Sequence, residues 1–156
     1  MNKFISKISV QSIAIALVIA IFFIADRILK ILAFNAAALP PLKLVGNILT
    51  FDFTANYYMA FSLPFGGLPL NAIIISLIIA LISVISFLAF SDKQHQLEII
   101  LLSFILLGAV SNIADRLIYG YVIDYLDLKN FTIFNLADAM ISGGALILIF
   151  KNIRSK

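Results

Sequence analysis

Leu70-Asn-Ala-Ile-Ile-Ile-Ser-Leu-Ile-Ile-Ala-Leu-Ile-Ser-Val-Ile-Ser-Phe-Leu-Ala-Phe90 contains no charged residue. A helix needs about 20 mostly apolar residues to cross the hydrocarbon core of a bilayer, and this run meets that length. Three other segments come close, so spans are expected at about 8–34, 68–90, 97–118 and 131–150. The composition agrees: 63% of the 156 residues are hydrophobic and 12% charged, against roughly 45–50% and about 25% in a soluble domain. The expected fold class is an all-α polytopic membrane protein. It has four transmembrane helices in a single membrane-embedded domain spanning residues 1–156, with a small extracytoplasmic β-element.

Orientation follows from the basic residues. Lys3 and Lys7 precede the first span, Lys93 lies between the second and third, and Lys151, Arg154 and Lys156 follow the fourth. With an even number of spans these stretches share one side, which the positive-inside rule makes cytoplasmic, so segments 35–67 and 119–130 face outward. The start, Met1 to Ala20, has features of a cleavable signal peptide, but its apolar stretch is too long for an ordinary h-region and an uncleaved first span is expected. The net charge of +3 comes from cations scattered at the ends of apolar runs. That pattern suits membrane anchoring and predicts no nucleic-acid partner.

The outer segment 35–67 is more than a linker. In Leu49-Thr-Phe-Asp-Phe-Thr54 apolar and polar residues alternate with the period of a half-exposed strand. Pro40-Pro41 and Gly46-Asn47 before it, and Pro64 with Gly66-Gly67 after it, read as turns.

Ionisable groups in a bilayer cost roughly 2.5–3.5 kcal/mol each on insertion scales, so each needs a reason. Here they gather at the outer ends of the spans: Asp26, Arg27 and Lys30 in the first, Asn112, Asp115 and Arg116 in the third, Asn135 and Asp138 in the fourth, with Asp124 and Asp127 in the short outer loop. Asn112, Asp115 and Arg116 are spaced i, i+3, i+4 and share a helix face, where Arg can pair with a carboxylate; Asn135 and Asp138 share another. Such residues also snorkel or cap helices, and Asp138 could serve only the helix dipole. Spacing does not say which two carboxylates meet.

The residue inventory narrows the chemistry. There is no Cys, and the single His95 sits in the polar stretch Ser91–Gln96 as a solvated loop histidine. Disulfides, thiol nucleophiles and histidine-ligated zinc are thereby removed, and no metal or cofactor is expected. A hydrolase built from what remains would use two close carboxylates and a water, one carboxyl keeping a proton while the other acts as base. A dyad of Lys30 with Ser62 has no support from spacing. The non-enzymatic alternative is a small transporter or assembly factor whose carboxylates carry ions or protons. Such a relay would extend through the membrane, whereas spans two and four are bare below the cluster.

Gly108-Ala-Val-Ser-Asn-Ile-Ala-Asp-Arg116, then Gly120-Tyr-Val-Ile-Asp-Tyr125 and Phe134-Asn-Leu-Ala-Asp138, resemble the signature blocks of the lipoprotein signal peptidase (signal peptidase II) family. Asp26-Arg-Ile-Leu-Lys30 and Asn56 with Ala60-Phe61-Ser62 agree in order and place. The resemblance implies four transmembrane helices with an extracytoplasmic β-cradle and an aspartyl endopeptidase activity. It implies as substrates bacterial prolipoproteins whose cysteine already carries diacylglycerol, cut on the N-terminal side of that cysteine. It makes Asp124 and Asp138 the catalytic pair, and on this analogy alone Asp124 is preferred over Asp115. Asp26, Lys30, Asn56, Asn112, Asp115, Arg116 and Asn135 would then line or brace the site. The expected partners are these lipid-modified substrates and membrane lipids, around a monomer in the bacterial cytoplasmic membrane, with both termini cytoplasmic and the site toward the outer face. Three features depart from the family's pattern: Tyr58 and Met59 stand where small residues are usual, Ser111 where glycine is common, and the connection from Asp124 to Asp138 is short.

Overall fold

A computed structural model describes residues 10–58, 67–91 and 95–154. The chain runs through α1 (Val10–Asn35), β1 (Leu42–Val45), β2 (Leu49–Asn56), α2 (Gly67–Phe90), α3 (Gln96–Tyr119), β3 (Val122–Leu128), β4 (Thr132–Phe134) and α4 (Leu136–Arg154). Met59 through Gly66, which include Ala60, Phe61, Ser62 and the turn at Pro64, lie outside the described residues, as do Lys3, Lys7, Lys93 and Lys156.

Three of the described helices, α2, α3 and α4, are long and apolar enough to cross a membrane. At 24 residues, α2 is about 36 Å long at 1.5 Å per residue. Its side chains turn outward almost throughout, and Leu70 is its one buried residue. That is the burial expected of a helix whose solvent is hydrocarbon. The fourth long helix, α1, has 26 residues and carries Asp26, Arg27 and Lys30 in its second half.

The β-element is larger than the sequence suggested. Four antiparallel strands form one sheet in the order β1-β2-β3-β4. The expected strand is β2, but β3 falls in the segment read as a short outer loop. Two aspartates made that segment look like linker. Its first four residues are all buried, so it lacks the in-out alternation that marks a half-exposed strand. Residues 132–134, assigned to the start of span four, form β4 instead, and α4 begins only at Leu136.

Two backbone devices place the sheet at one end of the helices. Gly120, at φ +84°, caps α3 in the left-handed region and donates its N–H to the Arg116 carbonyl at 3.1 Å, turning the chain directly into β3. Asn130, at φ +63°, closes the tight β3–β4 hairpin. The sheet then packs on the end of α1, where Ala33, Ile123 and Tyr125 form a fully buried cluster. Rings of Phe34, Phe53, Tyr119 and Tyr121 contact one another around the same junction. Tyrosines are favoured at the boundary between lipid and water.

Close packing of α3 on α4 depends on glycine. A Cβ on Gly108 would lie 2.6 Å from the Ala137 carbonyl oxygen and 2.8 Å from Ile141 Cγ1. Gly108→Ala should therefore force the helices apart beside the site and cost about 1–3 kcal/mol, read as a lower unfolding midpoint in detergent. Gly143, where a Cβ meets nothing within 4 Å, should accept alanine with no such loss.

Candidate active site

Four elements end at the same place: the second half of α1, the last turns of α3, the strand β3 and the first turn of α4. Between them lie Asp26, Lys30, Ser111, Asp115, Arg116, Asp124 and Asn135, all buried, together with Asn112 and Asp138. Charges gathered this densely have to be compensated by one another, and the pattern of compensation separates the four carboxylates into two kinds.

Asp26 and Asp115 are ion-paired. Lys30 Nζ lies 3.2 Å from Asp26 Oδ2 and 2.8 Å from Asp115 Oδ2, and Arg27 Nη1 lies 2.5 Å from Asp115 Oδ1. Their remaining lone pairs are filled as well. Asp26 accepts from Ser111 Oγ, the Tyr125 hydroxyl and the Ala137 N–H, and Asp115 accepts from the Ile123 N–H. Two cations thus face two carboxylates in a closed, neutral cluster that ties α1 to α3, β3 and the start of α4.

Asp124 and Asp138 make no ion pair among the described residues; every donor that reaches them is an amide. Asn56 Nδ2 donates to Asp124 Oδ2 at 2.9 Å and Asn135 Nδ2 to Asp124 Oδ1 at 2.6 Å. Asn112 Nδ2 donates to Asp138 Oδ1 at 2.7 Å. Asn135 joins the pair, because its backbone N–H also donates to Asp138 Oδ2 at 3.3 Å while Asp138 N–H returns to Asn135 Oδ1 at 2.8 Å. This is a reciprocal capping box at the N-terminus of α4, so Asp138 caps the helix as well as facing the site.

The amides are themselves oriented. Lys30 Nζ donates to Asn112 Oδ1 at 2.8 Å, leaving the Asn112 NH2 for Asp138. The Tyr58 N–H donates to Asn56 Oδ1 at 3.0 Å, which points the Asn56 NH2 at Asp124. Such outer contacts lock the groups that touch the reactive ones. Burial, then the neighbouring Asp138 charge, pushes the Asp124 carboxyl from its ordinary 3.8 up to about 7, against the lowering effect of Asn56, Asn135 and Lys30.

Most residues singled out from the sequence meet here: Asp26, Lys30, Asn56, Asn112, Asp115, Asp124, Asn135 and Asp138 form one connected network. Arg116 differs from expectation. It makes no ion pair with a carboxylate among the described residues, and its Nη2 donates to the Tyr58 carbonyl at 2.5 Å while Nε is buried without a partner. The Tyr58 carbonyl, offered by the backbone beyond β2, is what captures it. Asp127 lies on β3 outside the network, in register with Thr50 and Ile133. His95, read as a solvated loop residue, stands just before α3 with Nδ1 3.5 Å from Glu98 Oε1. Ser62, considered and set aside as a partner of Lys30, lies outside the described residues, and Lys30 is committed to Asp26, Asp115 and Asn112.

Sequence reasoning gave no role to Arg27, Ser111 or Tyr125. Arg27 pairs with Asp115 and reaches both the carbonyl and the hydroxyl of Ser111. The Tyr125 hydroxyl accepts from the Leu136 N–H at 3.0 Å. The available signal was a serine where glycine is usual, next to a cation on the helix it must meet. A cavity of about 530 Å³ opens onto Asp124, bounded by the end of β2 with Tyr57 and Tyr58 and by Phe131, Thr132 and Ile133.

Comparison with known proteins points the same way. The chain is 35% identical over 130 residues, 82% of its own length and 83% of the relative's, to a lipoprotein signal peptidase from Caldicellulosiruptor bescii. It is 44% identical over 75 residues, 46% of this chain and 45% of the relative, to the lipoprotein signal peptidase of Burkholderia ambifaria. Two solved structures described as a bacterial membrane enzyme, at 2.3 and 1.9 Å, share the fold. Their TM-scores are 0.74 and 0.73, at 20% identity, over 90% and 92% of this chain and 88% and 94% of theirs. The family model for signal peptidase (SPase) II matches residues 18–154, a range that contains every residue of the network from Asp26 to Asp138, and the chain belongs to the signal peptidase II family.

Proposed function

We propose that this aspartic-type peptidase removes the signal peptide from diacylglyceryl-modified prolipoproteins, cutting on the N-terminal side of the lipidated cysteine, with Asp124 and Asp138 as the catalytic pair. The observation that carries the assignment is the division of the carboxylates. Asp26 and Asp115 are ion-paired with Lys30 and Arg27, whereas Asp124 and Asp138 are cradled by neutral amides and can share one proton. This favours Asp124 over Asp115 on physical grounds. The ionised member of the pair takes a proton from water as its oxygen attacks the scissile carbonyl. The protonated member gives its proton to the carbonyl oxygen, and the leaving amine is protonated as the tetrahedral intermediate collapses.

In the bilayer we place α1 beside α2, α3 and α4 as a fourth span, its buried charges paid for by the cluster they form. The sheet and site then face the outer side of the bacterial cytoplasmic membrane, both termini face the cytoplasm, and a lipid-anchored substrate enters laterally to a monomeric enzyme. The exposed apolar side chains along α1, including Ile13, Leu17 and Ile21, support a lipid-facing surface. Incubating the detergent-purified protein with a diacylglyceryl-modified prolipoprotein tests the reading. Proton flux in liposomes without any cleavage would instead favour the transporter.

The raised Asp124 carboxyl sets a pH dependence. One proton must stay on the pair, so kcat should fall as pH rises past about 7. The same shift acts on stability. A carboxyl that holds its proton more tightly when folded contributes fully below its ordinary 3.8 and loses that contribution as pH climbs to about 7. Unfolding midpoints should decline as pH climbs toward about 7 and activity should fall above it, and a rate that keeps rising above neutrality would reject the shared proton.

A further inference from the structure

The trough that opens onto Asp124 has a direction. Its walls belong to the sheet, which joins the ends of α1 and α3 to the starts of α2 and α4, so it lies beyond the ends of the helices. On the peptidase reading, a lipidated substrate leaves the scissile bond along three paths. The signal peptide and the acyl chains are apolar and must run back into the bilayer; only the mature chain runs toward water. We propose that the trough receives the first residues of the mature chain, just downstream of the lipidated cysteine, with Tyr58 and Phe131 as the two walls that grip them. The inference rests on the peptidase assignment and adds a subsite to it.

Tyr58 is held in place by the site itself. Its N–H is fixed on Asn56, whose NH2 holds Asp124, and its carbonyl is fixed on Arg116. The main chain of Tyr58 is therefore set at a constant separation from the Asp124 carboxyl. The side chain is 49% exposed and has no ring partner among the described residues, unlike Tyr57, which packs on Tyr121 at 5.2 Å. Phe131 follows the left-handed Asn130 in the β3–β4 turn and is held there by its N–H on the Leu128 carbonyl at 2.9 Å, with its side chain 72% exposed. Two largely uncovered aromatic side chains, each on an anchored backbone and both bordering one cavity, are the features of a peptide-gripping hot spot. Among the described residues, Asp124 is the only carboxyl or cation on the lining, which suits an extended segment of uncharged residues.

The test compares two diacylglyceryl-modified prolipoprotein peptides, one continuing about ten residues past the cysteine and one ending about two residues past it. The wild-type protein should cleave the long peptide with the higher kcat/KM. In Tyr58→Ala and in Phe131→Ala the long-to-short ratio should fall about tenfold, as for loss of an aromatic anchor, while Tyr58→Phe should retain it. A wild-type ratio near one, or a ratio unchanged by both alanine variants, would overturn the subsite whatever the absolute rates. Failure of the wild-type protein to cut either peptide would remove the peptidase assignment itself.

Discussion

Asp124→Asn and Asp138→Asn should each slow cleavage of a lipidated prolipoprotein by roughly a thousandfold or more, the scale of a lost general acid or base, and leave the protein folded. An amide keeps the size of the carboxyl but can neither take a proton from water nor give one to the scissile carbonyl. Folding should survive because neither carboxylate is in a direct ion pair among the described residues: their hydrogen-bond partners are Asn56, Asn112 and Asn135, and the amide keeps the size of the acid. The double variant should be little worse than either single one, because two groups that share one proton act as a unit. Detergent-purified variants with unchanged circular dichroism, assayed on the same substrate, check this. Full turnover by both single variants would reject the pair. The matched substitution Asp115→Asn should fail differently, by lowering stability, because it strips the partner from Lys30 and Arg27.

Lys30→Met should produce the largest loss of stability. The ammonium is fully buried and contacts Asp26, Asp115 and Asn112 at 3.2, 2.8 and 2.8 Å. Methionine keeps much of the volume, yet it leaves two buried carboxylates facing Arg27 alone. Removing one partner of a buried ion pair typically costs about 3–5 kcal/mol. It also frees Asn112 to rotate, so the hydrogen bond to Asp138 and the activity should go with it. Adding Asp26→Asn to Lys30→Met restores neutrality and should recover part of the midpoint in a detergent unfolding titration. No recovery would mean that packing, and not charge, is what Lys30 supplies.

How much of this was legible beforehand depended on the kind of interaction. Membrane helices announce themselves through long runs such as Leu70–Phe90, because lipid makes burial a property of the residue and not of its neighbours. The polar residues were legible for the converse reason, since Asp26, Lys30, Asp115 and Asp138 stand out against apolar spans. The strand β3 was not, because burial on both faces removes the alternation that a period-two reading needs. The roles of Arg27 and Ser111 were not, because their partners lie on another helix and are fixed only when α1 lies against α3.

The amino-acid sequence by itself determined that the chain belongs in a bilayer, that its ionisable groups gather at one end of the spans, and that any hydrolysis would have to use carboxylates. Which carboxylates are free for that work was decided only in three dimensions. Residue spacing does not say which of the four acids Lys30 and Arg27 neutralise. Their packing gives both cations to Asp26 and Asp115, where Coulomb attraction is strong because water is excluded, and leaves Asp124 and Asp138 among neutral amides.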